Sequence, residues 1–228
     1  MRILKEHDVR KAEILDAAQA LFFEAGYDQT PVSAIIDKVG VAKGTFYYYF
    51  KSKEDLLDCL AERAGEQSMA EIEAVATSEG LNALEKLNLV YDASRRWQSQ
   101  NKDLIMTILK AMYKDENLLL RHKIQTRGLE MSTPLFSDII AQGVKEGIFD
   151  VEDPREIGEL VLRMGNDMSN TATVLFLDIP NNPGNLERVE RKIEVYQDAV
   201  ARILGRPKGP FEFWIRSSFG SLPGSAFS

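Results

Sequence analysis

A chain of 228 residues carrying 28 Lys+Arg against 35 Asp+Glu has a formal charge of −7, with 44 % hydrophobic and 28 % charged residues. This ordinary globular balance excludes a disordered chain and a collagen-like repeat, and the single cysteine, Cys59, excludes a disulfide scaffold or a cysteine-built metal cage. Taken whole, the acidity counts against a nucleic-acid partner, because phosphate binding leaves a basic footprint.

The punctuation predicts an all-α protein. Val9, Ile14, Ala18, Leu21, Phe22 and Ala25 recur at three- and four-residue steps, an apolar stripe on a helix of about five turns. Gly26 ends it, with Tyr27 set to pack back on the last turn. Thr30-Pro31 reads as an N-cap followed by a proline at the first helical position. Val32, Ile35, Ile36 and Val39 then make a helix of about two turns that Gly40 stops, and a third short helix fits 42–49. Ser52-Lys53-Glu54-Asp55 signals the start of a longer fourth helix carrying Leu56, Leu57, Leu60 and Ala64 into the seventies. Three helices within 9–50, the last two joined tightly at Gly40, have helix-turn-helix spacing.

Beyond residue 75 the pattern stays helical. Leu81, Leu84, Leu87 and Val90 lead to Trp97; Leu104, Ile105, Ile108, Leu109 and Met112 form a further stripe. A long amphipathic region over 115–147 is expected to loosen at Gly128 and Pro134. Asp153-Pro154-Arg155-Glu156 is a strong helix start, and one face then persists from Ile157 to Leu175. After the break at Ile179–Gly184, a last helix carries Leu186, Val189, Ile193, Tyr196, Val200 and Leu204. The segment 207–228, where Phe211, Phe213, Trp214, Phe219 and Phe227 lie among Gly, Ser and Pro without helical period, reads as a poorly ordered tail.

The chemistry concentrates in Lys43-Gly44-Thr45-Phe46-Tyr47-Tyr48-Tyr49-Phe50. On a helix, Ala42, Phe46 and Phe50 form an apolar edge, while Lys43, Gly44, Thr45, Tyr47, Tyr48 and Tyr49 present an ammonium, a hydroxyl and phenols. Three successive tyrosines span about 200° of a helix and cannot all enter one core. The face suits a DNA groove, with Tyr48 the one phenol expected to lean on the domain body. Gly44 would let a partner approach the backbone, and Lys53 opens the next helix with a charge suited to phosphate.

These residues match a family. Ile14-Leu15-Asp16-Ala17-Ala18, Leu21-Phe22, Ala25-Gly26-Tyr27, Thr30 and the run from Val39 to Leu57 strongly resemble the DNA-binding domain of the TetR family of bacterial repressors. The resemblance implies that the helix at 42–49 enters the major groove, that Lys43, Gly44, Thr45, Tyr47 and Tyr49 meet bases or phosphates, and that Thr30, Ser33 and Lys53 meet phosphates. It further implies a helical regulatory domain that binds an effector and dimerises through its last two long helices. The expected organisation is a DNA-binding domain at 1–53 and a larger helical ligand-binding and dimerisation domain at 54–206. The charge divides along that line: residues 1–53 hold eight basic and seven acidic side chains, a net +1, which leaves 20 against 28, a net −8, for the remainder. The acidity lies outside the reading head.

The expected function is a dimeric repressor that binds a palindromic double-stranded operator and is released by a small hydrophobic effector. Trp97, Met106, Met112, Tyr113, Phe136, Met164, Asn166 and Met168 are candidates for the effector site, and plain core packing is the competing reading of the apolar ones. Arg95, Arg96 and Arg163 could receive an anion or simply be solvated. The final stripe from Leu186 to Leu204 fits either a four-helix dimer contact or intramolecular core. No catalytic constellation, metal site or cofactor motif is legible: there is no HExxH, and Gly40–Thr45 lacks the order of a P-loop. Cys59 has no basic cluster or resolving cysteine and reads as a buried cysteine on a helix. No apolar run reaches the ~18 residues of a membrane span, and the charged Met1–Asp8 is no signal peptide; a cytoplasmic protein is expected.

Overall fold

The computed structural model describes residues 2–205; the expected tail at 207–228 lies outside them. Nine α-helices and one 3-10 turn account for the described chain, with no strand among the described residues. The helices are α1 (Arg2–Ala25), α2 (Val32–Val39), α3 (Lys43–Tyr49), α4 (Lys53–Ala76), α5 (Ala83–Gln100), α6 (Lys102–Met112), α7 (Leu118–Lys145), α8 (Pro154–Leu177) and α9 (Asn185–Ile203), with the 3-10 turn at Asp115–Asn117.

Local signals set most boundaries. Gly26 and Gly40 adopt φ of +82° and +71°, the left-handed conformation that ends α1 and α2 without the penalty a Cβ would bring. At α4 the Ser52 hydroxyl accepts the Asp55 N–H at 3.1 Å while the Asp55 carboxylate accepts the Lys51 N–H at 2.8 Å, a reciprocal cap. At α8 the Asp153 carboxylate accepts the N–H groups of Arg155 and Glu156 at 3.0 and 3.1 Å, with Pro154 in the first turn. Two expectations are corrected. Pro31, not Thr30, caps α2, and it offers no side-chain hydrogen bond. The long seventh helix does not loosen: α7 runs unbroken through Gly128 and Pro134, anchored by the buried Phe136, Ile139 and Ile140 that follow.

The chain packs into two units. The first comprises residues up to Glu66 together with Asn101–Ile124; the second comprises Gln67–Gln100 and the chain from Gln125 onward. In the first, α1 packs on α2 and on α6, and α2 on α3. Its buried residues include Ile14, Leu15, Ala18, Phe22, Ile35, Phe46, Phe50, Leu56, Leu57 and Leu60. Val9, expected on the buried stripe, is exposed, and Leu15 takes the inward place. Ion pairs tie α6 and the start of α7 into this unit: Lys114 with Asp28, and Lys123 with Asp58.

The second unit has a main core of Ala83, Leu87, Val90, Phe136, Ile139, Ile140, Phe149, Val161, Val200 and Leu204, and a smaller cluster of Leu175, Val189 and Ile193. α8 and α9 pack antiparallel, since the Tyr196 hydroxyl reaches the Val161 carbonyl at 3.1 Å while Val189 meets Leu175 farther along. Four residues of the α9 stripe are intramolecular core, Val189, Ile193, Val200 and Leu204 being buried against their own chain, whereas Tyr196 is half-buried and Leu186 exposed. The turn between α8 and α9 is organised by Asp178, whose carboxylate accepts the side-chain amides of Asn181, Asn182 and Asn185 and is held below the usual carboxyl range by those bonds.

Candidate nucleic-acid interface

α3 is a seven-residue helix, too short to persist alone. Its seat comes from two buried rings, Phe46 and Phe50, whose centroids stand 5.7 Å apart. Seating those rings turns the opposite face outward. Lys43 and Gly44 are exposed, Tyr47 is 47 % and Tyr48 73 % exposed, and Thr45 and Tyr49 are half-buried. The Lys43 ammonium lies 5.9 Å from the Tyr47 ring centroid. Tyr48 was the phenol expected to lean inward; it is the most exposed of the three, and Tyr49 is the more covered.

Gly44 adds an independent sign. A Cβ built there meets nothing within 4 Å. Internal packing therefore does not demand glycine, although glycine costs a helix about 1 kcal/mol relative to alanine. Ser33, on the first turn of α2, is exposed as well.

Two residues expected at phosphates face inward. Thr30 is 2 % exposed, and its hydroxyl donates to the Gly26 carbonyl at 2.8 Å and the Leu21 carbonyl at 3.2 Å. A buried hydroxyl needs a partner, and these backbone carbonyls at the end of α1 and just beyond it supply one. The Lys53 ammonium donates to the carbonyls of Tyr27 at 2.9 Å and Thr30 at 3.2 Å and stands 4.3 Å from the Tyr27 ring centroid. Thr30 and Lys53 thus gather the carbonyls of the turn between α1 and α2. Tyr27 packs edge-on against Phe22 at 5.0 Å, and burial, with nearby carboxylates, pushes its phenol up.

One neighbour of this face escaped the sequence reading. The His7 imidazole lies 4.7 Å from the Tyr49 ring and 5.8 Å from the Tyr48 ring. Some forty positions separate these residues in the chain, so no local pattern could connect them.

The eight effector candidates divide between the two units. Met106, Met112 and Tyr113 belong to the first unit, the other five to the second. Met112 is buried, and Tyr113 lies under the Arg121 guanidinium at 4.6 Å. Phe136 is in the main core, its ring 5.9 Å from Tyr91, whereas Met168 packs on the smaller cluster with Leu175, Val189 and Ile193. Trp97 is buried; Met106, Met164 and Asn166 are half-buried. Asn170, one turn on from Asn166, accepts a hydrogen bond from Gln125. Arg95 pairs with Asp92 and Arg163 with Glu159, each on its own helix, the pattern of solvated arginines. Burial pushes the Cys59 thiol up, which leaves it a poor nucleophile. No group of His, Cys, Asp and Glu among the described residues could hold a metal ion, and no helix among them is long and apolar enough to cross a membrane.

Comparison with known proteins bears on the same regions. The family model of the bacterial regulatory proteins, tetR family, matches residues 14–60, and that of a tetracyclin repressor-like C-terminal domain matches 99–174. A fatty acid metabolism regulator protein of Bacillus subtilis (strain 168) is 32 % identical over 144 residues, 63 % of this chain and 73 % of that protein. The transcriptional repressor KstR2 of Mycobacterium tuberculosis (strain H37Rv) is 27 % identical over 152 residues, 65 % of this chain and 73 % of its own. A solved TetR-family regulator from Syntrophomonas wolfei shares the fold, with a TM-score of 0.60 at 22 % identity over 86 % of this chain and 96 % of that one.

Proposed function

Because the chain belongs to the TetR family of bacterial regulatory proteins, a family of regulators rather than enzymes, we propose that it is a dimeric transcriptional repressor that binds a palindromic operator through α3. The observation that carries this reading is the outward face of α3, where an ammonium, two phenols and a glycine free of internal neighbours stand together. Lysine and tyrosine donors position a protein on phosphates, and a bare backbone admits a base edge or sugar. Ser33 and Thr45 extend the face, Tyr49 borders it, and Thr30 and Lys53 hold the turn beneath it.

A single short helix reads only a few base pairs; a two-fold dimer would place two in successive major grooves, ~34 Å apart. α8 offers a surface for such pairing. Leu160 and Val174 are exposed and stand about four turns apart on one face, and Val195 of α9 is exposed as well. The effector in this reading is small and hydrophobic, and the regulator of fatty acid metabolism makes fatty acids the first probes. Effector binding would favour a conformer in which the helix beginning at Lys53 no longer holds the heads at groove spacing. Coupling of this kind is typically worth about 1–3 kcal/mol, and about 5 kcal/mol gives near-complete switching.

Selection of bound duplexes from random DNA tests the whole reading: a palindrome with two half-sites is expected, and no enrichment would end it. Tyr47→Ala should weaken binding to the selected duplex without unfolding the chain. Light scattering should find a dimer that Leu160→Glu with Val174→Glu converts to monomer. Fatty acids of stepped chain length are then added to the complex; one that leaves operator affinity unchanged at saturation is not the inducer.

A further inference from the structure

α1 supplies a ring to the outward face of α3. The His7 imidazole is tilted 53° against Tyr49 at 4.7 Å and stands edge-on, at 77°, to Tyr48 at 5.8 Å. Tyr48 and Tyr49 are themselves 5.0 Å apart at 86°. Each ring of the three touches the other two, so the cluster is closed. It is not core: Tyr48 is among the most exposed large side chains of the protein, and the side chain of His7 is 40 % exposed. A solvent-facing aromatic cluster contributes little by burial. What it does is remove rotamers, because a phenol with two free torsions on a short helix otherwise samples several directions. Tyr49 continues inward to Phe50 at 6.4 Å, so the cluster is registered to the buried seat of α3.

We propose that His7 is a positioning residue of the DNA-reading surface: its ring holds the phenols of Tyr48 and Tyr49 in the direction from which their hydroxyls donate to DNA phosphates. This rests on the reading of α3 as the DNA-contacting helix. The action runs through the tyrosines, so it needs a planar ring at position 7 and not an imidazole N–H. The Asp8 carboxylate, 3.3 Å from Nδ1, offers no ring and does not take this role.

The test uses the full chain and the duplex that the wild type selects from random DNA, with affinity read by fluorescence anisotropy at fixed salt. Aromatic pairs of this geometry predict that His7→Ala binds about three- to tenfold more weakly, and that His7→Phe returns to within about twofold of wild type. Circular dichroism should show both variants folded. In a Tyr48→Phe/Tyr49→Phe background, which keeps the rings and removes the hydroxyls, His7→Ala should cost no further affinity. A purely structural role would instead leave the full loss in that background, and this result overturns the proposal. So does wild-type affinity for His7→Ala, or failure of His7→Phe to restore binding, which would assign the effect to an imidazole contact of its own. If the wild type selects no sequence, the reading of α3 falls and this proposal with it; if selection succeeds and the His7 variants are silent, only this proposal falls.

Discussion

Gly44→Ala should move stability and DNA affinity in opposite directions. Gly44 is the second residue of α3, and a methyl group there meets nothing within 4 Å. No steric cost therefore offsets the gain from restricting the unfolded chain and improving helix propensity. In a helix interior that gain is about 1 kcal/mol; in the first turn of a short helix it is about 0.5 kcal/mol. Urea unfolding should show a midpoint raised by that amount with an unchanged slope. If Gly44 lies where DNA approaches the backbone, the same methyl enters a packed contact, and overpacking of about 1–3 kcal/mol corresponds to a loss of roughly 5- to 150-fold in operator affinity. Anisotropy titration of the two proteins at one salt concentration reads it. A variant that is stabilised and binds as well as wild type would refute the assignment of Gly44 to the contact. A destabilised variant would refute the packing argument itself.

Lys53→Met separates an inward from an outward role: loss of the bonds to the Tyr27 and Thr30 carbonyls and of the contact with the Tyr27 ring should cost about 1–2 kcal/mol in urea unfolding after side-chain ordering is discounted. The salt slope of operator binding should stay put, whereas a slope reduced by about 0.9 with stability intact would make Lys53 a phosphate ligand. Gly143→Ala places a Cβ 2.1 Å from the Phe149 ring, and thermal melting should show a loss of about 1–3 kcal/mol. Tyr196→Phe removes the donor to Val161 and the hydroxyl that Tyr91 bonds, a loss of about 2 kcal/mol at neutral pH. Burial pushes Tyr196 up to about 12 from 10.0, and Tyr91 is raised too, by burial first and then by Tyr196. A phenol raised in the folded state stabilises fully below pH 10 and loses that contribution as pH climbs through about 12. Urea midpoints of the wild type should fall across that window, and those of Tyr196→Phe should fall less.

Features settled within a few residues are legible in the sequence alone. The reversals at Gly26 and Gly40, the reciprocal cap of Ser52 and Asp55, and the Asp153 cap all appear where local chemistry puts them, because each joins groups in adjacent turns. The helix-turn-helix was legible for the same reason: its signals are a turn and an apolar edge at Phe46 and Phe50. Tertiary structure decided where polar side chains aim. Thr30 reads as a cap and Lys53 as a phosphate ligand, but the fold sets backbone carbonyls beside both, one of them 26 residues from Lys53. Periodicity likewise announces that one face of α9 is buried without saying against what; Val189 and Val200 are buried within their own chain. The Pro134 ring, expected to loosen the helix, costs one hydrogen bond, which the buried Phe136, Ile139 and Ile140 that follow outweigh. His7 marks the far limit, since a contact between the first helix and the third exists only once three helices have packed, and one-dimensional spacing holds no record of it.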